Sequence, residues 1–201
     1  MKYAFLASIL MAVIFMARPA AALNNENYRS AHSLQTSPHR EYDYSRLMLE
    51  TNIGDAYFLG QGVPQNYAKA FQYYKHAASQ GFASAQNKLG IMYQHALSVP
   101  QSYAKAAKWY LLAAEQGDSG AENNLGLLYE RGQGMSKDTV NAYEWFDLSA
   151  INARSAPIIQ NLAKQHMQEV ASHMTADQIA QAQAKALAWL KGHDRPQSNS
   201  H

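Results

Sequence analysis

The chain has 201 residues, 47% hydrophobic and 11% aromatic, with 17 Lys and Arg against 15 Asp and Glu and no cysteine. Without thiols a disulfide-stapled mini-protein, a thiolate metal site and a cysteine nucleophile are excluded, and a net charge of +2 is neither the like-charge excess of a disordered chain nor the basic surplus of a nucleic-acid binder. With 34 alanines against 17 Val, Ile and Thr, helices are well supplied and strands poorly, so the expected class is all-α.

Met1 and Lys2 precede an apolar run from Tyr3 to Ala17, followed by Arg18, Pro19 and the small residues Ala20, Ala21 and Ala22. A basic start, a short apolar stretch and an A-x-A site in that order make residues 1–22 a secretory signal cut after Ala22. The run of 15 residues is short of the roughly 20 that a membrane span needs. Losing Lys2 and Arg18 leaves 15 basic and 15 acidic residues, a formal charge of zero. No later segment is apolar enough for membrane insertion of the mature chain, and no polybasic cluster marks attraction to anionic lipid. The expected location is outside the cytoplasm: periplasmic, or extracellular.

Residues 23–37 are polar, weakly patterned and read as a mobile arm. Ser37-Pro38 offers an N-cap and first helical position for a helix over 38–52, running through Leu47 and Leu49 toward Ile53. Next comes a repeat. Ile53-Gly54-Asp55-Ala56-Tyr57 recurs as Leu89-Gly90-Ile91-Met92-Tyr93 and as Leu125-Gly126-Leu127-Leu128-Tyr129, each 36 residues on. The same offset carries Ala70, Tyr73, Tyr74 and Ala77 to Ala106, Trp109, Tyr110 and Ala113, then to Ala142, Trp145, Phe146 and Ser149. Their i, i+3, i+4, i+7 spacing is one helix face.

Three units over 53–156 therefore read as helix A, a turn, helix B and a short link. Asn66, Ser102 and Asp138 share one position and a side-chain oxygen suited to N-capping helix B. Gly81 and Gly117 stand where a left-handed C′ residue closes it. Glycine inside a helix costs about 1 kcal/mol against alanine, so its recurrence at 54, 90 and 126 predicts close approach, with the rings of helix B beside it. Gly60-Gln61-Gly62 and Gly132-Gln133-Gly134 fill the A-to-B turn, whereas the middle unit has Ala96-Leu97-Ser98, which predicts a differently built turn. Capping helices are expected over 157–191, where Thr175-Ala176-Asp177-Gln178 has capping-box spacing and Ile179, Ala182, Ala186 and Leu190 share a face. Residues 192–201 read as a mobile tail.

The pattern resembles the Sel1-like repeats, relatives of the tetratricopeptide repeat, through Leu-Gly-x-x-Tyr, Gly60, Gly62 and Val63, Lys69-Ala70 and Lys105-Ala106, Trp109-Tyr110, and Ala-Ala-x-Gln-Gly at 77–81 and 113–117. A period of 34 would favour the ordinary tetratricopeptide form. The third unit departs, with Asn141, Ser149 and Asn152-Ala153 in place of the motif residues. The resemblance implies a right-handed α-solenoid of antiparallel helix pairs with capped ends. It also implies an exported bacterial adaptor that acts by protein–protein interaction, without catalysis or cofactor. Two narrower forms are a periplasmic immunity protein that neutralises a secreted toxin and an envelope regulator that binds a membrane sensor.

Ser102-Tyr103-Ala104-Lys105 matches the S-x-x-K nucleophile motif of β-lactamase-like serine hydrolases, but no S-D-N or K-T-G accompanies it, and a helix cap explains all three units. His166, Glu169 and His173 can share a helix face, the best metal-ligating set available, yet they lack an H-E-x-x-H pattern. The aromatic residues recur with the repeat and so belong to the core rather than to a nucleic-acid stacking platform. In such solenoids the concave face is lined mainly by A helices. Polar positions that vary there are the candidate partner-binding residues: Asn52, Asn87, Lys88, Gln94, His95, Asn123, Asn124, Glu130 and Arg131.

Overall fold

The computed structural model describes residues 38–153 and 156–193. The signal over 1–22, the arm over 23–37 and tail residues 194–201 lie outside the described residues. Among the described residues eight helices follow one another: α1 (Pro38–Leu59), α2 (Tyr67–Ser79), α3 (Ala83–Gln94), α4 (Tyr103–Ala114), α5 (Ser119–Arg131), α6 (Thr139–Asn152), α7 (Pro157–Ala171) and α8 (Ala176–His193). There is no strand among the described residues. No helix there is long and apolar enough to cross a membrane.

Helix B of each unit starts as its sequence dictates. Asn66, Ser102 and Asp138 are extended at the N-cap and accept the backbone N–H of Lys69, Lys105 and Asn141. The antiparallel pairs α1–α2, α3–α4 and α5–α6 pack closely, and each B helix also packs on the next A helix. Tyr74, Tyr110 and Phe146 are fully buried, each against the glycine of its own A helix. A methyl group on Gly54 would sit 2.6 Å from Tyr74 Cε1, and one on Gly126 2.6 Å from Phe146 Cε1; Gly90 and Tyr110 are at least as close. The rings occupy the volume that a side chain would need.

The turn of the middle unit corrects the expectation. Ala96 (φ 56°) and Ser98 (φ 63°) adopt the left-handed backbone that Gly60 (71°), Gly62 (72°), Gly132 (64°) and Gly134 (75°) adopt in the other units. Equivalent hydrogen bonds close all three turns, from Gln61 N–H to Ala56, Leu97 N–H to Met92 and Gln133 N–H to Leu128. Register between paired helices overrides local preference, and the middle unit carries the strain in residues with a Cβ.

The third unit compensates for its departures. Ser149 Oγ donates to the Ser119 carbonyl at 2.7 Å. Lys69 and Lys105 hold their ammonium groups over the Tyr57 and Tyr93 rings, while Asn141, at the same position, is bonded by Lys185 from α8. Lys185 also pairs with the buried Glu144 at 2.7 Å. α8 lies on α6 rather than pairing with α7, with Ala182 and Ala186 buried and Trp189 edge-on to Trp145 at 5.0 Å. This explains why α6 is buried on more than one face. The capping box closes reciprocally, Thr175 N–H to Gln178 Oε1 and Gln178 N–H to Thr175 Oγ1.

Candidate functional site

A helices touch one another along the stack, α3 on α5 and α5 on α7, whereas the B helices α2, α4 and α6 stand further apart. The A helices are therefore the inner row. Stepping by the repeat aligns Met48 with Ser84 and Gly120, Asp55 with Ile91 and Leu127, and Leu59 with His95 and Arg131. In α7, Ala163 and Val170 are buried at the spacing of Ala121 and Leu128 in α5, which puts Leu162 in line with Met48.

Most of the polar candidates are engaged within the protein. Lys88 Nζ pairs with Asp55 Oδ1 at 3.0 Å, and Tyr74 OH donates to the same oxygen. Asn124 Nδ2 donates to Asn87 Oδ1 at 3.1 Å, and Asn87 Nδ2 to Asp118 Oδ1 at 2.9 Å. Gln94 Oε1 accepts from Tyr110 OH at 2.6 Å. Asn123 is buried and bonds His166 Nδ1 at 2.9 Å. These contacts link α1 to α3, α3 to α5 and α5 to α7. Asn52, His95 and Arg131 are exposed, with Glu130 half-buried beside Arg131.

Polarity as a criterion overlooked a run of apolar side chains among them. Ile91 and Leu127 are half-buried at the centre of the inner face; Met48, Leu59, Leu162 and Ile158 are exposed by 39%, 55%, 41% and 84%. Their signal was present in the repeat register, as apolar residues in the columns that also hold Asp55, His95 and Arg131. The floor between Met48 and Leu162 is small, Ser84 and Gly120. Such a strip, with polar groups fixed beside it, presents apolar area to a partner without requiring those polar groups to reorganise.

Ser102 accepts the Lys105 backbone N–H at 3.3 Å, while the Lys105 ammonium lies 5.3 Å from the Tyr93 ring centroid. That is the arrangement of Lys69 over Tyr57 in the first unit, so the S-x-x-K match is met by a cap and a cation–ring contact. His166 is turned toward Asn123 and the Phe146 ring. Burial pushes its pKa down, against the pull of Glu130 and Glu169, and Arg131 adds to the lowering. Among the described residues no group of three His, Asp or Glu comes together at metal-holding spacing.

One buried acid was not foreseen. Glu122, in the first turn of α5, is fully buried. Its Oε1 accepts from Asn152 Nδ2 at 2.6 Å, and its Oε2 has no partner. Burial raises its pKa to about 7, opposed by the Asn152 bond and helped by nearby Asp118. Asp118, which caps α5, is also raised by burial, against the Ala121 and Gly120 N–H groups, Asn87 and Lys88. In the preceding unit the places of Glu122 and Asn152 hold Gln86 and Gln116, and Gln116 Nε2 donates to Gln86 Oε1 at 2.8 Å.

A family model described as Sel1 repeat matches residues 50–82, 83–118 and 119–152, just over half of the chain. Over 72 residues the chain is 35% identical to the ERAD-associated E3 ubiquitin-protein ligase component HRD3A of Arabidopsis thaliana, covering 36% of this chain and 10% of that protein. The corresponding component HRD3B is 33% identical over 72 residues, 36% of this chain and 11% of its own length. The match thus spans about a tenth of these curated relatives. Among solved structures, a Sel1 repeat protein from Oxalobacter formigenes superposes with TM-score 0.53 at 29% identity, covering 64% of this chain and 94% of that one. The protein c5321, a protective antigen present in uropathogenic Escherichia coli strains displaying an SLR fold, gives TM-score 0.51 at 24% identity over 77% of this chain and 34% of its own.

Proposed function

The chain belongs to the Sel1 repeat family, and on that premise we propose that it is an exported, non-catalytic adaptor that holds a segment of a partner protein along the inner face of its A helices. The observation that carries the reading is the pair of exposed apolar side chains Met48 and Leu162 on the inner face, with the half-buried Ile91 and Leu127 between them and polar neighbours that are largely bonded to one another. Buried apolar area supplies most of the stabilisation in a protein interface, and fixed polar neighbours supply orientation. Export rests on the order of charges and small residues over 1–22.

The test uses the tagged full chain as bait, with Met48→Glu and Leu162→Glu on the inner face and Lys108→Glu on the exposed side of α4 as control. Wild type and the control should recover the same partner, and the two inner-face variants should lose it while keeping their helical circular dichroism. Retention by both inner-face variants would refute the placement. N-terminal sequencing of the mature protein should begin near Leu23; intact Met1 in the cytoplasm would refute export.

A further inference from the structure

α8 shows how the outer side of a B helix is covered in this fold. Phe146 points from α6 at Gly126 of α5; Glu144 and Leu148, each two residues from it, stand about 200° round the helix. That outer side is the seat of α8. Lys185 Nζ lies 2.7 Å from Glu144 Oε2 and is bonded to Asn141, and Leu148 packs in one cluster with Ala186 and is fully buried. One unit earlier, Trp109 and Leu112 of α4 take the places of Trp145 and Leu148. Among the described residues no helix lies over them, and Leu112 is 43% exposed, with Leu111 beside it at 39%. The first unit has Lys75 and His76 in the places of this leucine pair, so the repeat itself does not call for two leucines there. The charges differ as well: Asn141 and Glu144, which receive Lys185 on α6, are replaced on α4 by the exposed Lys105 and Lys108.

We propose that the outer side of α4 docks an amphipathic helix of a partner protein, seated on Leu111 and Leu112 as α8 is seated on α6, and carrying a carboxylate where α8 carries Lys185. The apolar part of the match is set by α8 itself. Small residues four apart, as Ala182 and Ala186 are, let two helices approach closely, and an apolar side chain one turn further on covers Leu112 as α8 covers Leu148. The charged part decides the occupant. A carboxylate between the two small residues meets Lys108 and Lys105, which reverses the polarity of the Lys185–Glu144 pair. The same reversal turns away α8 of a second copy, whose Lys185 would face Lys108, because like charges brought together at an interface are strongly disfavoured. The seat lies on the opposite side of the repeats from the inner face, so the molecule presents two separate docking surfaces. That it thereby bridges two proteins rests on the adaptor reading; the docking on α4 does not.

The test uses the full chain and two fluorescein-labelled synthetic peptides with the sequence of residues 176–193, one unchanged and one carrying Lys185→Glu. In both, Gln181→Lys is joined to Asp177 by a side-chain amide, four residues apart on the exposed side, to hold the peptide helical. By fluorescence anisotropy at low salt the Lys185→Glu peptide should bind on the order of tenfold tighter than the unchanged one. Lys108→Glu in the full chain should reverse that order, and Leu112→Glu should abolish binding of both peptides, each variant keeping its helical circular dichroism. Equal affinity of the two peptides for the unmodified chain overturns the proposal. So does a preference for the Lys185→Glu peptide that survives Lys108→Glu, or no binding of it up to about 1 mM, the weak end of measurable affinity. No partner is needed for this readout, so its failure leaves the adaptor reading to be judged by Met48→Glu and Leu162→Glu.

Discussion

Replacing Glu122 by glutamine should make the protein markedly more stable at alkaline pH than at acid pH, relative to wild type. The carboxyl is fully buried with Oε2 unpartnered, and its pKa stands at about 7 against 4.5 in the exposed side chain. At about 1.4 kcal/mol per unit, that rise corresponds to about 3 kcal/mol. The folded protein holds this proton more tightly than the unfolded chain does. The stability it contributes is therefore fully present below about pH 4.5 and is lost as pH rises through about 7. Glutamine does not titrate, and Gln86 already occupies the equivalent site one unit earlier, where it accepts from Gln116 at 2.8 Å. Urea unfolding followed by tryptophan fluorescence at pH 5 and pH 8.5 gives the difference between the two proteins at each pH. That difference should move in favour of Glu122→Gln by about 2 to 3 kcal/mol between the two conditions. Other titrating groups cancel in the subtraction. A difference that does not change with pH would refute the reading of Glu122 as a buried acid held near neutrality.

Ala96→Gly combined with Ser98→Gly should raise the melting temperature by about 2–4 °C, since left-handed backbone costs a residue with a Cβ about 1–2 kcal/mol and glycine returns about 0.5–1 of that in unfolded-chain entropy; a lower value refutes the strain. Gly90→Ala should destabilise by about 1–3 kcal/mol in urea unfolding, because the added methyl meets the fully buried Tyr110 ring and overpacking outweighs a helix-propensity gain of about 1 kcal/mol. A more stable alanine variant would contradict the close approach. Ser102→Ala should lose about 1 kcal/mol as a lost N-cap, and intact-mass spectrometry after incubation with a penicillin should show no adduct on wild type; acylation of Ser102 would restore the hydrolase reading.

Much of the framework was legible because its causes are local. The caps at Asn66, Ser102 and Asp138, the left-handed Gly81 and Gly117 and the glycine beside each buried ring all follow from residue types at fixed offsets. What escaped were consequences of stacking. Asn87, Asn123 and Lys88 look available in sequence, yet they find partners 31 to 43 residues away that exist only once A helices lie side by side. Ile91 and Leu127 pack against the core with one side and, by repeat register, lie in the inner-face column of Asp55, so each is only half-buried. The Ala96–Ser98 turn carries no glycine signal because the two helices it joins dictate its backbone. Nor does any local pattern announce that α8 settles on α6.

The seat of α8 on α6 bears on the order in which the array comes apart. A linear stack frays from either end, one helix pair at a time, because each unit touches only its neighbours. Here the last helix reaches back across α7 to anchor Glu144 and Asn141, so α6, α7 and α8 open together as one cooperative block. Amide exchange should accordingly spread inward from α1, making the Pro38 end the first to open and the His193 end the last.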